Sequence, residues 1–273
     1  MQRYPFLADS GRLMSVRLLA VALAAAFASG ASGAAEGEGP YPQLIIRGAT
    51  MINGAGAPPQ GPMDIVVEGG RIARIVAVGA PGLPIDAEKR PASRPGAREI
   101  DAHGKYVLPG FVNLHGHIHT EGTGQGVPPD YVWKLWLMHG VTSVRELGNE
   151  MGAKWTADIA AKSARGEIVA PRIYPYPVFR GWSAGEVDTA EAARARIRKL
   201  KADGAKGVKF FGAPEEILWA GLEEARKQGL KTTMHHAQID VAHADVLDTS
   251  AHGLGSMEHW YGLPEALFED QTL

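Results

Sequence analysis

The sequence predicts an α/β protein: a small antiparallel β unit followed by βα repeats around a parallel sheet. Three observations predict it. Strand-like apolar runs bounded by turn residues fill the stretch up to 108; after Pro109-Gly110, short apolar runs alternate with segments of helical period; and the composition, 45% hydrophobic and 21% charged over 273 residues, is that of a folded globular chain.

Residues 1–35 stand apart from this pattern. Arg12 and Arg17 precede an apolar run over 18–28, and the small residues Ser29-Gly-Ala-Ser-Gly-Ala-Ala35 follow, the layout of a secretory signal peptide. The run is about 11 residues, too short to cross a hydrocarbon core of about 30 Å as a helix, so no stable membrane anchor is expected. The protein is therefore expected to be exported, periplasmic or secreted. Met14 offers an alternative start, because Met14-Ser-Val-Arg is a compact charged leader in itself.

A Gly- and Pro-rich linker at 36–41 leads into strand-like runs at 43–47, 64–68 and 71–78, the last two joined by Gly69-Gly70, a hairpin signal. Residues 79–98, rich in Pro, Ala and Arg, read as a surface loop, and 99–108 resumes the strand pattern. The stretch 43–108 thus reads as an antiparallel unit, hydrophobic on one side.

Beyond it, apolar runs occur at 111–114, 141–147, 172–179, 207–211, 231–235 and 255–259. Between the first two, Val132, Leu135, Trp136 and His139 fall at the spacing of one buried helical face. Thr189 is a plausible N-cap for a helix whose face includes Ala193, Ile197 and Leu200. A further helix opens at Pro214 and ends near Gly229, and another starts at Pro264. A closed barrel of this type needs eight strands, whereas an open doubly wound sheet can use six, so the count alone leaves both open.

With a formal net charge of -2 and a pI near 6.6, the chain lacks the basic footprint of a nucleic-acid binder. It has no cysteine, which excludes disulfides and thiolate ligands and turns any metal site toward His, Asp, Glu and modified Lys. Ten histidines supply that alternative.

The strongest chemical signal is Pro109-Gly-Phe-Val-Asn-Leu-His-Gly-His-Ile-His119. Side chains alternate along a strand, so His115 and His117 point the same way and can share a metal ion. His119 has the same parity but lies past the expected strand end, closer to substrate than to metal.

This segment, a Pro-Gly turn, two apolar residues, Asn113 and then His-x-His, resembles the first barrel strand of the amidohydrolase superfamily, with its imidazolonepropionase-like and Xaa-dipeptidase-like members. Asn113 stands where Asp is more usual. The resemblance implies a (β/α)8 TIM-type barrel over 109–273, incomplete at about six strands, preceded by part of a small β-sandwich over 36–108. It also implies a metal-dependent hydrolase of carbon–nitrogen bonds acting on a small amide or peptide, with one or two divalent ions, zinc foremost.

Further positions match. Lys209, in Gly207-Val-Lys-Phe-Phe, resembles the fourth-strand lysine that the family carboxylates to bridge two metals; its alternative is a lysine snorkelling from a strand end. His235 and His236 face opposite ways, so only one can enter the site, and the His-Ala pair favours His236 as the fifth-strand ligand. His259, after Glu258, resembles the sixth-strand ligand. The implied metal set is His115, His117, Lys209, His236 and His259, with Lys209 and His259 also catalytic. Arg145-Glu146 resembles a family Arg-Asp pair and reads as a structural ion pair. His103, His139, His243 and His252 read as surface or helix-packing residues, whereas Trp182, Trp260 and Tyr261 can line a pocket or simply pack. The family's eighth-strand aspartate has no counterpart, Asp270 coming too early, and a truncated gene product is expected. Two rival readings stay open: a one-metal deaminase or cyclic-amide hydrolase with Lys209 incidental, and a non-catalytic metal-binding fragment.

Overall fold

The structure is a computed structural model that describes residues 39–118, 126–181, 186–237 and 244–268. The signal-peptide segment, His119, Trp182, His243 and Asp270 lie outside the described residues. The chain divides into Met1–Pro40 and Tyr41–Leu273, and every element below belongs to the second.

Five strands form the first sheet: β1 (Gln43–Met51), β2 (Gln60–Glu68), β3 (Arg71–Ala77), β4 (Arg98–Asp101) and β5 (Tyr106–Val107). Their order is β3-β2-β1-β4, with β5 also against β1. The β2–β3 hairpin turns at Gly69 and Gly70, both in the left-handed region that only glycine adopts freely. One expectation fails: β4 and β5 pair with β1 in parallel, not antiparallel. The reason is the connection 78–97, which carries the chain across to the far edge of β1, so that β4 enters running with it.

A buried carboxylate pins that crossover. Asp64, fully buried, accepts from Arg47 at 2.9 Å, from the Nε and Nη2 of Arg90 at 3.1 Å and from the Gly48 amide at 2.8 Å. Arg47 also donates to the Pro91 carbonyl at 2.8 Å and to Glu99 at 2.7 Å. One anion thus ties β1 and β2 to the long loop.

The rest is an α/β arrangement of β6 (Phe111–Gly116), α1 (Pro129–Met138), β7 (Val141–Glu146), α2 (Gly152–Ala164), β8 (Arg172–Pro175), α3 (Ala190–Ala202), β9 (Gly207–Phe210), α4 (Glu215–Lys227), β10 (Lys231–His235), α5 (Val246–Ala251), β11 (Ser256–Glu258) and α6 (Leu263–Leu267). Among the described residues the strands form two parallel sheets, β6-β7-β8 and β11-β10-β9, linked through the bridge Val178↔Lys209. β8 is shorter than its apolar run because Pro175 and Pro177 supply no amide donors.

Two apolar clusters cover the sheets: Ile118, Trp133, Val144, Ile159 and Ile173 beside the first, and a larger set including Phe179, Ile197, Leu200, Phe210, Leu218 and Met234 beside the second. Fully burying each such side chain contributes about 1.5–3 kcal/mol. α3 matches expectation, with the Thr189 hydroxyl accepting from the Ala192 amide and Ala193, Ile197 and Leu200 buried. α1 keeps Val132 and Trp136 of its expected face against the first cluster, adds Trp133 as its buried residue and leaves His139 exposed. Indole chemistry explains the burial of Trp133, since its Nε1 donates to the Ile118 carbonyl at 2.8 Å, and Trp136 Nε1 donates to that of His117 at 3.2 Å. The helix thereby holds the end of the strand that bears the His-x-His motif.

The Asp64 cluster yields a stability prediction. Burial favours the neutral acid, but Arg90 and Arg47 outweigh it and hold the carboxyl below the usual range. Its contribution is therefore present above about pH 4 and lost as pH falls through the lowered value. Asp64→Ala should cost about 3 kcal/mol at pH 7 in urea denaturation and lose less on acidification than the wild type.

Candidate metal centre

The carboxyl ends of β6, β9, β10 and β11 bring four imidazoles and a lysine together. Ring centroids lie 5.7 Å apart for His115–His117, 4.8 Å for His115–His259 and 4.7 Å for His235–His259. Imidazole is bound at about 2.0–2.1 Å from a metal, so rings at these spacings are close enough to share one ion. Among the described residues no three His, Asp or Glu side chains stand close enough around one point to hold an ion.

Local sequence explains why the first two rings meet. The β6–β7 register slips between Asn113 and Gly116, and the Asn113 side-chain oxygen accepts from the His115 amide at 2.9 Å. An amide oxygen does this as a carboxylate would, so the residue before the motif tolerates Asn. Gly116 separates the histidines because a Cβ there would lie 2.7 Å from Val144; Gly110 is required likewise, since its Cβ would meet Thr142 at 2.1 Å.

Ring tautomers fit metal binding. The carbonyl of Gly148 can only accept, so His117 Nδ1 donates to it at 3.0 Å and the Nε2 lone pair is left for an ion. His115 Nδ1 is 2.7 Å from Glu258, a carboxylate acceptor, and again Nε2 is left. His117 also touches Glu146 at 3.4 Å, whose other oxygen accepts from the Ile118 amide. Arg145 does not pair with Glu146: it crosses to Glu258 and to Ser256 at 3.1 Å.

Glu258 is buried and also accepts from Thr233. Lys209 is 2% exposed, with its ammonium 5.2 Å from the Phe211 ring centre. Burial, reinforced by Arg145 and opposed by Glu258, lowers its pKa to about 8. His235 is held below the ordinary histidine value by burial, then by the charges of His259 and Lys209; His115 is lowered by burial and Lys209 despite Glu258. These rings stay neutral near pH 7, the form that ligates metal.

His236, favoured over its neighbour by sequence, is placed elsewhere. Its Nε2 lies 2.9 Å from the Thr249 hydroxyl, which itself donates to the Asp245 carbonyl at 2.9 Å. His236 is therefore the donor, its buried Nδ1 meets no partner among the described residues, and its ring packs against Gly262. His235 takes the place facing His259, 5.2 Å from Phe211 and 5.4 Å from Tyr261. Strand register signals this: His235 pairs with Glu258, and Thr233, two residues earlier on the same face, pairs with Lys209. Tyr261 lines the cluster while Trp260 is exposed. His139 and His252 bond to helix carbonyls away from it, as surface or packing residues. Glu258, Arg145 and Glu146 carry more of the site than the sequence reading assigns them.

No family model matches the chain. A dihydroorotase of Anaeromyxobacter dehalogenans is 26% identical over 215 residues, spanning 76% of this chain and 45% of the relative. An adenine deaminase of Deinococcus radiodurans is 29% identical over 232 residues, 81% of this chain and 39% of the relative. The chain thus spans less than half the length of these relatives. Among solved structures, a prolidase complexed with N-methylphosphonate-L-proline matches with a TM-score of 0.60 at 20% identity, over 80% of this chain and 60% of that one, a likeness of fold.

The Glu146 contact, ahead of the opposing effect of burial, raises the His117 pKa. Its stabilisation is therefore full below about pH 6.5 and lost as pH rises through the raised value. In metal-free protein, Glu146→Gln should lower the His117 midpoint seen by proton NMR; an unchanged midpoint would remove Glu146 as the cause.

Proposed function

We propose that this chain, a member of the amidohydrolase superfamily, forms the metal-binding part of an exported hydrolase of carbon–nitrogen bonds. The observation that carries the reading is the convergence of His115, His117, His235 and His259 beside buried Lys209 at one end of the parallel strands. Dihydroorotase, adenine deaminase and prolidase, the names carried by the relatives and the structural match, are all hydrolases of this bond class, which supports a small amide or peptide substrate. The likeness of fold supports reading β6 to β11 as strands of a TIM-type barrel and the first sheet as part of a small β-sandwich. The leader at 1–35 supports a periplasmic or secreted location.

His115 and His117 would hold one divalent ion; His235 and His259 would hold a second, His235 replacing His236 in the set. Histidine donors without cysteine suit zinc. When bound, such ions bring water to ionise near neutral pH and polarise a substrate carbonyl. Lys209 would add a ligand once carboxylated: with its pKa near 8, a useful fraction is free amine at neutral pH. That amine adds to carbon dioxide through a new N–C bond and releases one proton, giving an anionic carbamate. Glu258 orients His115 through Nδ1, and Arg145 neutralises Glu258.

Zinc content per chain, measured after loading in bicarbonate, tests the assignment. Wild type should hold two ions. His235→Ala should weaken zinc binding by at least about 100-fold, whereas His236→Ala should keep the metal and cost about 1–3 kcal/mol of stability. Lys209→Ala should hold less zinc and lose any response to bicarbonate. Zinc retained by His235→Ala and lost by His236→Ala would reverse the ligand choice.

A further inference from the structure

We infer that the cavity lined by Arg180, Gly181, Glu186, Phe211 and Gly212 is a subsite for the carboxylate of an acyl amino acid or peptide. The inference rests on the hydrolase reading above and names its substrate class. The cavity opens at the same end of the strands as the imidazoles, because Arg180 follows the Val178↔Lys209 bridge and Phe211 follows β9. One ring separates the two sites: Phe211 lines the cavity and also lies 5.2 Å from both the His235 ring centre and the Lys209 ammonium. Its volume, about 270 Å3, suits an amino-acid-sized group, and Gly181 and Gly212 add no side chain to it.

Arg180 supplies the recognition chemistry. Its side chain is only 24% exposed. Nη1 donates to the Gly212 carbonyl at 3.1 Å, fixing the plane, and Nη2 donates to Glu186 at 2.9 Å. Nε is buried and meets no acceptor among the described residues. Nε and Nη2 form the guanidinium edge that takes a carboxylate through two parallel hydrogen bonds, and here only half of that edge is used. Its present acceptor, Glu186, is 67% exposed, and a solvent-facing ion pair of this kind is weak. A ligand carboxylate spanning both nitrogens would satisfy the orphaned Nε and displace Glu186, which acts as a stand-in for it. One guanidinium beside one carboxylate matches a monoanion rather than a phosphate dianion.

The test is calorimetry on the zinc-loaded full chain with N-acetyl-L-alanine and its uncharged twin, N-acetyl-L-alaninamide. Wild type should bind the acid about tenfold or more tightly than the amide. Arg180→Gln should abolish that preference while amide affinity and zinc content stay as they were. Glu186→Gln, which removes the competing carboxylate, should raise affinity for the acid severalfold, an effect that a purely structural ion pair would not give; this variant decides the matter if Arg180→Gln does not fold. Equal affinity for the two ligands, no binding of the acid, or a preference that survives Arg180→Gln overturns the subsite. A chain that prefers the acid through Arg180 yet holds no zinc retires the hydrolase reading alone, and zinc binding without acid preference retires the subsite alone.

Discussion

A carboxylate inside a folded chain has to be neutralised where it stands, and Glu258 imposes that demand on the whole α/β region. It is 4% exposed, and its partners come from three other strands: Arg145 on β7, Thr233 on β10 and His115 on β6. Removing one partner of such a buried group typically costs about 3–5 kcal/mol, because the charge left behind has no water to return to. Strands far apart in sequence order, β6 and β7 on one side and β10 and β11 on the other, are thus tied through one anion. Arg145 extends the tie by donating to the Leu114 carbonyl and to Ser256.

The same group sets the electrostatics in which the imidazoles work. Burial lowers the pKa of Lys209, helped by Arg145, and lowers those of His115 and His235 as well, while Glu258 opposes it at Lys209 and His115. His115 and His235 are consequently held neutral, the state a cation needs in its ligands. His117 is the exception, because Glu146 approaches it on the ring nitrogen that points away from the cluster. Carboxylates behind the histidines, rather than among them, orient the rings and leave their other nitrogens forward.

Much of this was legible in the sequence, and the gaps have physical causes. The Pro-Gly turn, the His-Gly-His step, the Gly-Gly hairpin and the Thr189 cap depend on contacts within a few residues, and local pattern reports such contacts faithfully. Parallel pairing of β4 with β1 was not legible, since it depends on where a long loop lands. The role of Glu258 was hidden for the same reason: its partners lie 25, 113 and 143 residues away in sequence. His259 resists strand parity altogether, being the one non-glycine among the described residues with positive φ, at 62°; its ring turns back toward His115 from a backbone no alternation rule describes.

The His235-His236 pair shows how one strand end serves two layers. Alternation sends adjacent side chains to opposite faces, so placing His235 among the imidazoles commits His236 to the helix side, whatever ligand motif it resembles. There it donates to Thr249 of α5 and fills the space against Gly262, whose φ of 82° and lack of a Cβ allow the ring to lie flush before α6 begins. Fixing one ring against the helices fixes the direction of the other into the site. Burial of His236 against the helices thus goes with the aim of His235 toward His259, and which neighbour faces the imidazoles follows from which face must hold helices.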